Sequence, residues 1–221
     1  MAGMAGAVDE IAPLLRGVSH FWAFWFAVVG AIVLVLLAQD AVSTAAAAIY
    51  GTALCALFAG SALYHRWRWD PRWRPRLRRI DHSTIFVFIA ATYTPVSLLV
   101  LDGSMRWVVL AIAWSGALAG VLFSLAWISA PRWLTAVTYL ALGWVAVIMV
   151  PQLVERLHAA PLSLIAAGGI LYTIGAVIYA RGRPNPWPRV FGFHELFHAF
   201  VIAAALCHFA AMAGWVVPGA A

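Results

Sequence analysis

The sequence predicts an all-α integral membrane protein that forms a seven-transmembrane helix bundle. Its 221 residues are 65% hydrophobic and only 10% charged, and the mean hydropathy is +0.92. Soluble domains are about 45–50% apolar and about 25% charged. The chain also contains seven apolar runs of the roughly 17–25 residues that cross a bilayer. We therefore expect one membrane domain over residues 1–221, with very little left over for a soluble domain.

Turn signals separate the first three predicted spans. The first span, 18–38, is longer than the roughly 7–15 apolar residues of a signal-peptide core, and it ends at Gln39-Asp40. The second span, 42–65, ends at the arginine-rich segment 66–79. The third span, 81–101, contains Pro95, which should interrupt helical hydrogen bonding and help to shape a cavity. It ends at the Asp-Gly-Ser sequence of 102–104.

The last four spans follow the same pattern of apolar runs and breaks. The breaks lie at Ala130-Pro131, at Pro161 and at the sequence RGRPNP of residues 181–186. The predicted spans are 105–128, 133–153, 162–180 and 193–217. Many of the 12 tryptophans lie near segment ends, where interfacial aromatic residues are expected.

The arginines predict the orientation of the bundle. The chain has 14 Arg and no Lys, and with a cytoplasmic N-terminus all but Arg106 and Arg156 fall on the cytoplasmic side. Positive residues favour that side, so the N-terminus is predicted inside and the C-terminus outside. The Arg66–Arg79 loop could bind RNA in principle, but an anchor on anionic lipid headgroups is the better interpretation, and we expect no nucleic-acid partner.

The seventh span opens with two histidines at a metal-binding spacing. His194 and His198 lie four residues apart, on one face of a helix. The predicted topology places His65, at the end of the second span, at the same membrane depth. Three imidazoles and a water form the usual open catalytic zinc site, although copper, nickel or iron would accept the same ligands. We therefore predict a zinc site at His65, His194 and His198.

Two further residues are predicted to support this site. Asp81 starts the third span at the same depth, and its carboxylate could orient or deprotonate a water. Ser61 lies one turn before His65 on the same helical face and could hydrogen-bond an imidazole or the water. Taken alone, Asp81 would instead be the N-cap of the third span, and His65 an interfacial polar residue.

The other histidines serve as comparisons. His208 lies ten residues after His198, about 15 Å further along the axis, and is interpreted as a polar packing residue. His82 points about 100° away from Asp81 around its helix. His20 and His158 lie at loop edges and are predicted to be interfacial.

Five motifs resemble the hemolysin III family. They are SALYH (61–65), RIDHS (79–83), ATYTP (91–95), HELFH (194–198) and CHF (207–209). These proteins are bacterial members of the progestin and adipoQ receptor family, within a group that includes alkaline ceramidases. The resemblance covers nearly the whole chain. It implies a seven-helix bundle in the bacterial inner membrane, with zinc held near the cytoplasmic face by the three histidines.

The resemblance also implies roles and a substrate class. Asp81 is implied to hold the zinc water, Ser61 to support it, and a cavity open to membrane lipids to admit a substrate. The leading hypothesis is a zinc hydrolase of a membrane lipid amide or ester, with a role in membrane lipid homeostasis. In this mechanism Asp81 acts first as general base and then as acid.

The sequence also allows two alternatives to this hydrolase. The first is a zinc protease in which Glu195 of the His-Glu-x-x-His motif is the base, with Asp102-Gly103 as a further element. However, Glu195 should point about 100° from the histidine face, and Asp102 is predicted on the opposite side of the membrane. The second is a non-enzymatic protein with structural zinc that senses membrane fluidity or perturbs membranes, as haemolytic activity would suggest.

Overall fold

The computed structural model describes residues 13–219, so the ends of the predicted domain, 1–12 and 220–221, lie outside the described residues. Within this range, seven helices are long and apolar enough to cross a membrane, which confirms the predicted fold class. They are α1 (Val18–Leu37), α2 (Ala41–Arg66), α3 (Arg74–Leu99), α4 (Gly103–Ala126), α5 (Arg132–Arg156), α6 (Ala159–Arg181) and α7 (Phe193–Val216).

The start of α3 is the one boundary that differs clearly from the prediction. The helix begins at Arg74 rather than at Asp81, and Pro75 lies in its first turn, where a missing backbone N–H costs no hydrogen bond. This first part is rich in arginine, so hydropathy does not detect it. The predicted loop 66–79 is therefore shorter, and Asp81 lies two turns inside α3. The N-cap interpretation of Asp81 is wrong.

Two helix ends have well-defined caps, one at the start of α2 and one at the end of α6. Asp40 caps α2: its Oδ1 accepts the Ser43 backbone N–H at 2.7 Å, and Ser43 Oγ accepts the Asp40 N–H at 3.0 Å. The Ser43 N–H and the Ser43 hydroxyl both donate to the Asp40 carboxylate, which favours its charged form and lowers the pKa of Asp40. Gly182 ends α6 in the left-handed region, with φ +63°, and its N–H bonds Ile178 O at 2.9 Å.

The helices pack in a ring, and α3 also makes contacts across it. Each helix after α1 contacts the helix before it, and α7 returns to contact α1. The additional contacts of α3 are with α5 and with the last turn of α7. Glycine permits the close approach of α4, since a Cβ at Gly120 would lie 2.2 Å from the Phe86 ring. The ends of α2, α3 and α7 that carry the predicted site residues therefore meet inside the bundle.

The fifth span is not a uniform α-helix. Residues Trp144–Met149 form a 3₁₀ turn between two α-helical parts. The Tyr93 hydroxyl of α3 lies 2.9 Å from Leu142 O and 2.5 Å from Gly143 O, so it satisfies a backbone carbonyl where the helix changes pitch. In contrast, α3 continues through Pro95 to Leu99 even though proline removes one backbone donor. One irregular part of the bundle thus lies in α5, and the π-helical turn Met212–Val216 at the end of α7 is another.

Candidate metal centre and cavity

Three histidines from two helices converge at one end of the bundle. His65 lies in the last turn of α2, and His194 and His198 lie in the first two turns of α7. One ring nitrogen from each lies within 4.8 Å of those of the other two. The Nε2 atoms of His65 and His194 are 3.1 Å apart. The structure therefore brings together the three residues that the sequence predicted as ligands.

The geometry of this histidine cluster fits a metal ion. Two nitrogens bound to one tetrahedral zinc at about 2.0–2.1 Å are about 3.3 Å apart, close to the His65–His194 separation. No separation exceeds 4.8 Å, so a small side-chain rotation brings all three nitrogens to one ion. Within residues 13–219, buried His198 Nδ1 has no hydrogen-bond partner. Imidazole is a donor that several transition metals accept. The cluster could hold a metal ion.

Asp81 lies beside the histidine cluster. Its side chain is buried, and its Oδ2 atom is 3.5 Å from His65 Nε2. A carboxylate at this separation from a ligand nitrogen could hold a water or contact an ion directly. Ser61, one turn before His65, is also buried and lines the same cavity as Asp81. Its proposed supporting bond stays a prediction.

His20 is the site neighbour that the sequence interpretation missed. It was predicted to be interfacial, but it is 3% exposed and lies in the first turn of α1. Its ring stacks on His198, with centroids 3.9 Å apart and planes 12° from parallel, and its edge meets Phe58. His20 is buried because α1 packs against α7. Hydropathy does not encode which helices are neighbours, so the sequence could not predict this contact.

The remaining histidines lie in three different environments. His158 is exposed and precedes α6. His208 packs deeper in the bundle, and its Nε2 lies 3.2 Å from Ile165 O. Gly168 leaves the space for that ring, because a Cβ there would lie 2.2 Å from it. His82 lines the cavity, and its backbone carbonyl accepts a bond from the Tyr139 hydroxyl at 3.3 Å.

Glu195 forms an ion pair and a helix cap rather than facing the histidine cluster. Its Oε1 pairs with Arg16 Nε, and its Oε2 accepts the Gly192 N–H at 2.8 Å, which caps α7. Both carboxylate oxygens are thus engaged. Asp102 lies past the far end of α3, which rises about 27 Å between Asp81 and Leu99, and it pairs with Arg156. These positions disfavour the protease alternative.

An apolar cavity of about 410 Å³ extends from the cluster through the bundle. At one end it is lined by His20, Ser61, Asp81, His194 and His198, and at the other by Leu162 and Met212. Met212 follows His198 by fourteen residues, which corresponds to about 21 Å along α7. The cavity therefore runs through much of the roughly 30 Å hydrocarbon core.

The cavity reaches the outer surface between α5 and α6. Trp144 and Ile170 line it and are 55% and 60% exposed, so they face both the cavity and the lipid side. Gly143 and Gly169 also line it, and a Cβ at either would meet no atom within 4 Å. The contacts between α5 and α6 are concentrated in Arg132–Gly143 and become few beyond it. The 3₁₀ turn of α5 coincides with this opening.

A family model described as haemolysin-III related matches residues 9–209. The chain belongs to the haemolysin-III-related family. It is 32% identical over 174 residues to Hemolysin-3 of Bacillus cereus, covering 78% of this chain and 75% of the relative. It is 34% identical over 161 residues to the Hemolysin-3 homolog of Bacillus subtilis (strain 168), covering 73% and 72%.

A human protein of the wider family is also similar. The haemolysin-III-related chain is 28% identical over 197 residues to the monocyte to macrophage differentiation factor of Homo sapiens, covering 84% of this chain and 76% of the relative. The resemblance inferred from the sequence motifs is thereby confirmed. Family membership and the seven apolar helices together establish an integral, multi-pass membrane protein.

The Arg16–Glu195 pair leads to a stability prediction for this haemolysin-III-related protein. Replacing Glu195 by alanine leaves Arg16 unpaired and uncaps α7, so we expect a loss of about 1.5–3 kcal/mol and a melting temperature several degrees lower in detergent. Glu155→Ala, at an exposed glutamate, is the control and should change stability by about 0.5 kcal/mol or less.

A double-mutant cycle identifies the pair itself. If Arg16 stabilises the protein through Glu195, Arg16→Ala should lower the stability of the wild type but hardly change that of the Glu195→Ala variant. Strictly additive losses of stability would show that the two residues do not interact.

Proposed function

We propose that the protein is a zinc-dependent hydrolase of a membrane lipid amide or ester, with a role in membrane lipid homeostasis. The observation that carries the proposal is the cluster of three histidines and Asp81 at one end of an apolar cavity that opens towards lipid. Ligand pockets are commonly apolar with a few convergent polar groups, and ionisable groups at membrane depth usually have a function.

The proposed location is the bacterial inner membrane, with the metal end of the bundle at the cytoplasmic face. The arginine distribution supports this orientation, and the two Bacillus relatives support a bacterial membrane. The arginine-rich segment 66–79 lies at the same end of the bundle as the cluster. Its exposed arginines are suited to contact anionic headgroups around the cluster.

The shape of the cavity favours a lipid as the substrate. A polar head with a scissile carbonyl would lie beside the histidine cluster, and an acyl chain would occupy the apolar part that extends towards Met212. Entry between α5 and α6 would let a lipid arrive from the bilayer without crossing water. The free side of Gly169 would keep this path open.

The chemistry would be shared between the metal and this chain's carboxylate. A zinc ion held by His65, His194 and His198 would supply Lewis acidity, which polarises a carbonyl and lowers the pKa of water. Asp81 would take a proton from a water in the site and return it to the leaving amine or alcohol. Ser61 would hydrogen-bond an imidazole or that water. The apolar walls would keep bulk water out.

The test is turnover of a lipid panel by the purified, zinc-loaded protein. We expect hydrolysis of at least one ceramide, acyl amide or phospholipid, detected by mass spectrometry of the released fatty acid. Gly169→Trp should reduce this turnover at least tenfold by filling the opening, and the new Cβ would meet no atom within 4 Å. Gly214→Trp is the matched control, at a glycine with equal free space that does not line the cavity.

Two outcomes would count against the proposal. No hydrolysis across the panel at full zinc content would refute the enzymatic function and favour the non-enzymatic alternative with structural zinc. Equal turnover in Gly169→Trp and wild type would refute entry between α5 and α6.

A further inference from the structure

His20 is a further buried imidazole at the end of the cavity where the histidine cluster lies. The residue is 3% exposed and lines the cavity at the end where the histidine cluster lies. Among residues 13–219, neither Nδ1 nor Nε2 has a hydrogen-bond partner. A neutral imidazole carries one donor and one acceptor, and both are costly to bury unpaired, above all at membrane depth.

Packing alone does not explain an imidazole at this position. The ring stacks on His198 and meets the edge of Phe58, both of which are contacts that a phenylalanine would make equally well. A phenylalanine would do so without two unpaired polar atoms. The nitrogens therefore indicate a partner that belongs to the working state of the cavity.

His20 is also poorly oriented to be a further ligand of the same ion. Imidazole binds metals through a lone pair in the plane of its ring. The planes of His20 and His198 are 12° from parallel, with centroids 3.9 Å apart, so an ion in the plane of His198 lies out of the plane of His20. The remaining candidate is a molecule in the cavity itself.

We propose that His20 binds the polar head of the lipid that occupies the cavity. One ring nitrogen donates to a carbonyl oxygen of the head, and the other can accept from an N–H or O–H of the same head. Stacking on His198 fixes the ring beside the histidine cluster, so the head is held next to the reacting position. This inference rests on the proposed function for the nature of the ligand, but it concerns binding rather than turnover.

The experiment measures binding without turnover. The full chain carrying Asp81→Asn is purified with zinc, and hexadecanamide and hexadecane compete for the cavity with a fluorescent acyl probe. Adding His20→Phe should weaken hexadecanamide binding about fivefold, the size of one net hydrogen bond, and leave hexadecane binding and zinc content unchanged. His158→Phe, at an exposed histidine that does not line the cavity, is the control and should change neither affinity.

A second measurement does not depend on how His20→Phe folds. In the Asp81→Asn protein with ¹⁵N-labelled histidine, hexadecanamide should shift the His20 ring resonances and hexadecane should not. Unchanged amide affinity in His20→Phe, or His20 resonances that respond equally to both compounds, would overturn the proposal. Loss of zinc with an equal fall in both affinities would also overturn it, since His20 would then only support His198.

The outcomes separate this inference from the hydrolase proposal. Amide binding that depends on His20, without hydrolysis of any lipid by the wild type, would refute the hydrolase and leave His20 as a binding residue. Hydrolysis by the wild type, with an amide affinity that His20→Phe does not change, would support the hydrolase and refute the binding role of His20.

Discussion

Alanine at His65 or at His198 is expected to remove the bound metal. Each substitution leaves two of the three imidazoles whose nitrogens lie within 4.8 Å of one another. Losing a residue that only supports a ligand already costs about 10- to 100-fold in metal affinity, so losing a ligand should cost more. Metal analysis of the purified protein should find about one equivalent in the wild type and little in either variant.

His158→Ala is the control for this experiment. His158 is an exposed histidine that precedes α6, so its removal should leave metal content unchanged. Full metal content in both His65→Ala and His198→Ala would show that the cluster is not a metal site. The identity of the metal in the wild type decides between zinc and the other transition metals that imidazole accepts.

Loss of the metal should also lower the stability of the bundle. An ion in the cluster joins the end of α2 to the start of α7, and a ligand that binds only the folded state stabilises it by about 4 kcal/mol at a thousand times its Kd. A chelator should therefore lower the melting temperature of the wild type but not that of His65→Ala. Equal melting temperatures of wild type with and without chelator would contradict this.

The convergence of His65, His194, His198 and Asp81 could be predicted because topology fixes depth. In a bundle of alternating spans, the end of the second and the starts of the third and seventh must lie at the same face of the membrane. The error in the start of α3 did not alter this, because the two extra turns precede Asp81 and leave its Oδ2 3.5 Å from His65 Nε2. Hydropathy encodes membrane depth, and depth was almost sufficient to predict that these four residues meet.

The arrangement of the helices within the membrane plane could not be predicted in the same way. The contact of His20 with His198 and that of Arg16 with Glu195 both require that α1 lie against α7, which no hydropathy pattern encodes. Arg16 was therefore interpreted only as a topology arginine. One signal was present in the sequence: a histidine three residues into an apolar span is expensive unless it is buried among partners or used.

The opening of the cavity was also beyond sequence reasoning. Pro95 was expected to shape it, but the irregular backbone is the 3₁₀ turn of α5, where Tyr93 bonds the carbonyls of Leu142 and Gly143. Tyr93 belongs to the ATYTP motif that identified the family, yet its contact partner is fifty residues away. Such a contact depends on tertiary packing and leaves no local pattern.

Asparagine at Asp81 is expected to abolish lipid hydrolysis while keeping the metal. The substitution preserves the size of the side chain and the three histidines, but it removes the group that exchanges a proton with water beside His65. Loss of a general acid–base group costs about 10²- to 10⁴-fold in rate. Turnover per bound metal should therefore fall by at least about 100-fold in Asp81→Asn, with metal content close to that of the wild type.

Glu195→Gln separates this assignment from the protease-like alternative. Both oxygens of Glu195 are engaged by Arg16 and by the Gly192 N–H, so its loss should lower stability but leave the turnover of folded, metal-bound protein within a few-fold of wild type. Rates must be normalised to bound metal for this reason. If Glu195→Gln lost turnover at full metal content and Asp81→Asn kept it, the base would be Glu195. Asp81, beside His65, would then only orient that histidine.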